Sequence, residues 1–171
     1  MALRIFEPRY TRMIKEACAN DAGFVICMLN SKGSKEQNTH IFATGTYCKV
    51  IDFDVLEDGL LGITVEGIYC VTVSNIATEK DGLRVAECEK IDVWSCDIDI
   101  QELSPMNERL GEIFDTYHEI SSLYETIKLD DPRWVINRWL ELLPVDAEQK
   151  QHFLAQKNCT KIVQYLSELI E

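Results

Sequence analysis

The hydrophobic period of this 171-residue chain changes once, close to Trp94, and that change divides what its two parts can become. Before it, apolar and polar residues alternate. Ile51, Phe53 and Val55 are separated by Asp52 and Asp54; Leu61, Ile63 and Val65 are separated by Gly62 and Thr64; Tyr69, Val71 and Val73 continue the pattern. A period of two marks strands that bury one face. After it, Met106, Leu110, Ile113, Tyr117, Ile120, Tyr124 and Ile127 recur at steps of three and four. That is a helical stripe about six turns long. The chain is therefore expected to be α+β, with a β-rich part over residues 1–95 and a helical part over residues 96–171.

Turn residues punctuate both parts. Glu57-Asp58-Gly59 and Lys80-Asp81-Gly82 read as hairpin turns, and Gly45 and Gly67 as bends inside strands. Such bent strands suit a small closed or nearly closed barrel. Residues 7–20 predict a short amphipathic helix with Pro8 at its first position and Tyr10, Met13, Ile14 and Ala17 on one face. Residues 24–29 are an apolar run of strand length, and 30–40 a polar loop. In the second part, Ser104-Pro105 and Asp131-Pro132 each place a capping residue before a proline at the first helical position. The helix carrying Trp134 and Trp139 is apolar almost all round, which predicts the centre of a bundle. Asp146-x-x-Gln149 predicts a cap, and the last helix is expected to bury Ile162, Val163, Leu166, Leu169 and Ile170. Trp94, at the junction, is expected to be part exposed.

Composition removes several classes of function. A formal net charge of -12, without a segregated basic stripe, argues against a phosphate backbone as partner. Seven cysteines without a Cys-x-x-Cys pair predict free thiols and a reducing, cytoplasmic location. No apolar run is long enough to span a bilayer, so no membrane association is expected. His40, His118 and His152 fall in different elements, without a second histidine or a cysteine at ligand spacing, so no metal is expected. The Asp52/Asp54 and Asp97/Asp99 pairs read as solvated faces, and no glycine-rich phosphate loop is present. No catalytic residue and no cofactor are expected.

The opening Leu3-Arg4-Ile5-Phe6-Glu7-Pro8-Arg9-Tyr10 resembles the Leu-x-Ile-Phe-Glu-Pro-Arg-Tyr signature of the Lon-type N-terminal domain, the substrate-binding module of a bacterial ATP-dependent protease. Gly45-Thr46, Asp58-Gly59 and Gly67 follow in that family's order, although Gly67-Ile68-Tyr69-Cys70-Val71 lacks its usual Arg-Phe. Leu143-Pro144 with Glu148-x-Lys150-Gln151 and Phe153-Leu154 resembles its helical tail. The resemblance implies a PUA-like β pseudo-barrel followed by a helical bundle, as in members without ATPase or protease domains. It also implies an earlier strand, of the type Leu-Phe-Pro-Leu, which Met1 follows too late to include. A barrel without that strand would leave an edge open to an added peptide or to a second copy of the chain.

What the resemblance implies for function is binding without chemistry: a module for unfolded or extended segments of other proteins, in an adaptor or quality-control role. The groove between the two parts is the expected surface, with Phe6, Tyr10, Tyr47 and Trp94 as contacts. Phe6-Glu7-Pro8-Arg9-Tyr10 also has a folding role in this reading: Phe6 and Tyr10 staple the helix start to the sheet, and Glu7 pairs with Arg9. The alternatives are a small-molecule site, built as an aromatic cage, and RNA binding, which the net charge disfavours.

Overall fold

The computed structural model describes residues 1–170 and divides into two compact units, the first ending at Asp92 and the second beginning at Val93. The first unit is an antiparallel sheet with one helix. Its elements are β1 (Ala2–Ile5), α1 (Pro8–Ala19), β2 (Phe24–Leu29), β3 (Ile41–Val55), β4 (Leu61–Thr78) and β5 (Arg84–Lys90). The ladder runs β1-β4-β3-β2, with β5 also on β4. β4 is long enough to carry β1 at Leu61–Thr64 and β5 at Val71–Thr78, while β3 runs along it from Leu61 to Thr72. The ladder is open: β1 pairs only with β4, and β2 only with β3, among the described residues.

Both turns form where the sequence places them, and each needs its glycine, since Gly59 and Gly82 have φ of 81° and 85°. The strand bend near Gly67 is a bulge: Tyr47 pairs with Tyr69 and Cys48 with Gly67, leaving Ile68 over. A second bulge leaves Ile51 over between the Val50–Val65 and Asp52–Thr64 pairs.

α1 packs on one sheet face. Ile14 (1% exposed) meets Cys48, Ile63 and Val65, with Leu3, Ile5, Met13, Phe24, Ile26, Val50 and Leu61 around them. Here the alternation misleads at one end. Phe53 pairs with Ile63 and Val55 with Leu61, so both share the face that α1 covers, yet they are 54% and 75% exposed. The α1 core stops short of them, and the bulge at Ile51 leaves that residue 60% exposed as well.

The second unit holds a 3-10 turn (Ile100–Leu103), α2 (Met106–Thr116), α3 (His118–Ser121), α4 (Pro132–Leu142), α5 (Ala147–Leu154) and α6 (Thr160–Ile170). The predicted six-turn helix is not continuous. It ends at Thr116, where Tyr117 leaves helical geometry (φ -115°, ψ 78°). The break folds Tyr124 back so that its ring lies 5.7 Å from Phe114 and 5.6 Å from Trp134. A straight helix would hold Tyr124 about 15 Å along the axis from Phe114; packing of three rings outweighs helical continuity.

Capping otherwise follows the sequence. Asp131 accepts from the amides of Arg133 and Trp134 at the start of α4, and Asp146 from that of Gln149 at the start of α5. At α2, Ser104 instead bonds Glu108, and Pro105 is the capping residue. Leu103, Leu110, Val135, Ile136, Ile162 and Leu166 are completely buried in one core, with Trp139 and Phe153. Leu169 departs from expectation at 51% exposed. Trp94 departs in the other direction: it is 2% exposed, and it packs in this core rather than standing at a wet junction.

Candidate functional site

The Phe6–Tyr10 corner is built by three constraints. Strand alternation turns Leu3 and Ile5 toward α1, so the next residue, Phe6, is turned out and is 69% exposed. Pro8 then starts α1 without losing an amide bond. Arg9 fixes the corner from behind: its guanidinium pairs with Glu7 at 2.7 Å, donates to the carbonyl oxygen of Gly82 at 2.7 Å, and lies 4.8 Å from the Tyr10 ring centroid. The Glu7–Arg9 pair is thus as expected. The staple is not: Phe6 is mostly exposed, neither it nor Tyr10 joins the cluster around Ile14, and Leu3, Ile5 and Met13 pack there instead.

The outward turn of Phe6 leaves an open groove of about 780 Å³ in the first unit. Ile5, Phe6 and Pro8 line one side; Gly59, Leu60 and Leu61 of the β3–β4 turn line another; Thr11, Arg12, Lys15 and Glu16 of α1 supply a polar wall. Arg12 is engaged on that wall by three carboxylates: Glu16 at 3.1 Å, Asp81 at 2.9 Å, and Glu79. Hydrogen bonding to these acids raises its pKa, and the same contact holds the Asp81 carboxyl below its ordinary range. The site is therefore an apolar floor beside a wall of paired charges, where Arg12 is held by three carboxylates, a surface that can accept side chains.

The predicted contacts do not form one cluster. Phe6 and Tyr10 share the corner. Tyr47 projects from the side of β3 opposite to Cys48, which packs under α1, and it stacks on Tyr69 (4.9 Å between ring centroids, 11° between planes). Lys90 lies 5.0 Å above the Tyr69 ring. Trp94 is inside the second unit's core and presents no accessible surface to a ligand. Sequence reasoning overlooked Leu60, Leu61, Thr11 and Lys15 as groove residues. The signal was there: two leucines directly after a turn glycine, and an amphipathic helix directly after an exposed aromatic.

Among the described residues, no group of three or more His, Cys, Asp or Glu is placed to hold a metal, and no helix is long and apolar enough to cross a membrane. All seven cysteines are free. Burial raises the thiol pKa of Cys27, Cys48 and Cys70, and pushes Cys159, which also touches Cys96, up to about 12. In these four cysteines burial favours the protonated thiol, the unreactive form.

Residues 1–171 match the family model of the ATP-dependent protease La (LON) substrate-binding domain. The chain belongs to that family. Solved structures similar to this Lon-type domain include two Lon N-terminal domains. A Lon N-terminal domain protein from Xanthomonas campestris is 24% identical, with a TM-score of 0.70 over 98% of this chain and 88% of that one. The N-terminal domain of the Mycobacterium avium complex Lon protease is 14% identical, with a TM-score of 0.67 over the same shares. No curated protein matches the sequence. The fold of the Lon-type domain, a β-sheet followed by helices, is common to all three.

Proposed function

We propose that this chain is a non-catalytic module that holds unfolded or extended segments of other proteins, through the groove at the Phe6 corner. The observation that carries the reading is an exposed phenylalanine at the mouth of an apolar groove, on a chain of the substrate-binding family. Large apolar side chains left in water beside a concave surface favour contact with other apolar groups. Phe6 is the principal contact; Tyr10 backs it, and Tyr47 contributes where a client reaches the opposite sheet face. An adaptor or quality-control role in the cytoplasm is consistent with seven free thiols.

The test is a titration with an unfolded protein whose composition is matched by a folded control. Fluorescein-labelled ribonuclease A, reduced and carboxyamidomethylated, serves as the client, and the disulfide-intact enzyme as the control. Binding of the unfolded form alone, weakened about ten-fold in Phe6→Ala, is the expected result. No binding of the unfolded form, or equal binding by Phe6→Ala, overturns the reading.

A further inference from the structure

The outer edge of β3 is paired with β2 only as far as Cys48, opposite Phe24. Beyond that point β3 continues to Val55 with β4 on its inner side and no strand on the outer side, among the described residues. The direction of its backbone groups follows from the turn. The Leu56 amide donates to the Leu60 carbonyl oxygen across the hairpin, so by alternation Asp54 and Asp52 face β4, while Val55 and Phe53 face outward. The Phe53 amide is met there by the Asp52 carboxylate at 2.8 Å. This half-edge therefore combines outward backbone groups with exposed apolar side chains on one face, Phe53 and Val55, and exposed carboxylates on the other, Asp52 and Asp54. Neither carboxylate meets a cation among the described residues, and Lys49, at the start of the stretch, is engaged with Asp21 at 2.9 Å.

We infer that the β3 edge over Ile51–Val55 takes up an extended client segment as an added antiparallel strand, one that alternates apolar residues with Lys or Arg. The inference rests on the reading of the chain as a binder of other proteins' segments. Charge complementarity selects the occupant. An incoming strand sets its apolar residues beside Phe53 and Val55, and the alternate residues beside the two aspartates, where only cations are welcome. A cation there also draws Asp52 off the Phe53 amide, which frees that donor for the new strand. A second copy is the wrong occupant: antiparallel pairing of two β3 edges about Phe53 sets Asp52 opposite Asp54, like charge against like charge.

The experiment uses fluorescein-labelled ten-residue peptides and fluorescence anisotropy. One peptide alternates Val with Lys and one Val with Glu; two further Val-Lys peptides are N-methylated, one at the Val amides and one at the Lys amides. In antiparallel pairing, the residues opposite Phe53 and Val55 turn their amides to the edge, so the Val amides make the bonds. The Val-Lys peptide is expected to bind at least about ten-fold tighter than Val-Glu, with Asp52→Lys/Asp54→Lys inverting the preference. Methylation of the Val amides is expected to abolish binding, and methylation of the Lys amides to spare it. Equal binding of both methylated peptides, or an unchanged preference in the double variant, overturns the inference. If these peptides fail while unfolded ribonuclease A still binds and Phe6→Ala still weakens it, the edge is wrong and the groove reading stands; if neither class binds, both fall.

Discussion

Arg9 donates to the carbonyl oxygen of Gly82 at 2.7 Å, across 73 residues of sequence. This bond ties the start of α1 to the β4–β5 turn, and so fixes the corner from which Phe6 projects. Arg9→Ala should destabilise the protein by about 1–3 kcal/mol, the range for a charge-assisted hydrogen bond with a part-buried partner. Urea unfolding measures it. Arg9→Lys should recover only part of the loss, because one ammonium replaces a fork that serves both Glu7 and Gly82.

The two turn glycines separate strain from contact. A Cβ at Gly59 would meet nothing within 4 Å, whereas one at Gly82 would lie 3.1 Å from the Arg9 guanidinium; both have positive φ. Gly59→Ala should cost about 1 kcal/mol of backbone strain alone. Gly82→Ala should cost more by urea unfolding, and the excess over Gly59→Ala should shrink in an Arg9→Ala background.

Trp94 and Trp139 differ in one respect that mutation can read. The Trp139 indole N–H donates to the Met106 carbonyl oxygen at 3.1 Å, and that of Trp94 has no partner among the described residues. Trp139→Phe should therefore destabilise by about 1 kcal/mol more than Trp94→Phe, since only the first loses a buried hydrogen bond, while the second removes an indole N–H that has no partner. Both are nearly fully buried (5% and 2% exposed), so the loss of ring volume is shared.

The Arg12 cluster predicts a pH dependence of known sign. The Arg12 contact lowers the folded pKa of Asp81, so the stabilisation is present above the unfolded carboxylate pKa, about 3.9, and is lost as pH falls through the folded value. Thermal midpoints of the wild type and Asp81→Asn should therefore differ at pH 6, begin to approach each other only below about pH 4, and converge once pH has fallen below the lowered folded value of Asp81. The gap at pH 6 should narrow in 1 M salt, because the cluster is exposed.

Legibility followed the range of the interactions. α1, β2 and both hairpin turns were readable because local signals decide them: Pro8, an apolar run ended by Asn30, and glycines where φ is positive. The signature motif carried the family and the Glu7–Arg9 pair. β1 was missed as a strand, since four residues are too few to display a period. The Tyr117 break was invisible because the apolar stripe runs unbroken through it; the Phe114–Tyr124–Trp134 contacts that outweigh helix continuity are tertiary. The exposure of Phe53 was misjudged because alternation says which residues share a face, but not how far the covering element reaches. The burial of Trp94 was misjudged because its place at a change of pattern says nothing of the tertiary core it joins.

Hydrogen–deuterium exchange of the chain with and without saturating unfolded ribonuclease A locates the surface that holds a client. Exchange should slow in peptides spanning Phe6–Lys15 and Asp58–Leu61, and Phe6→Ala should reduce the effect. Unchanged exchange in both segments, with protection confined to the helical unit after Val93, would rule out the Phe6 groove as the client-binding surface.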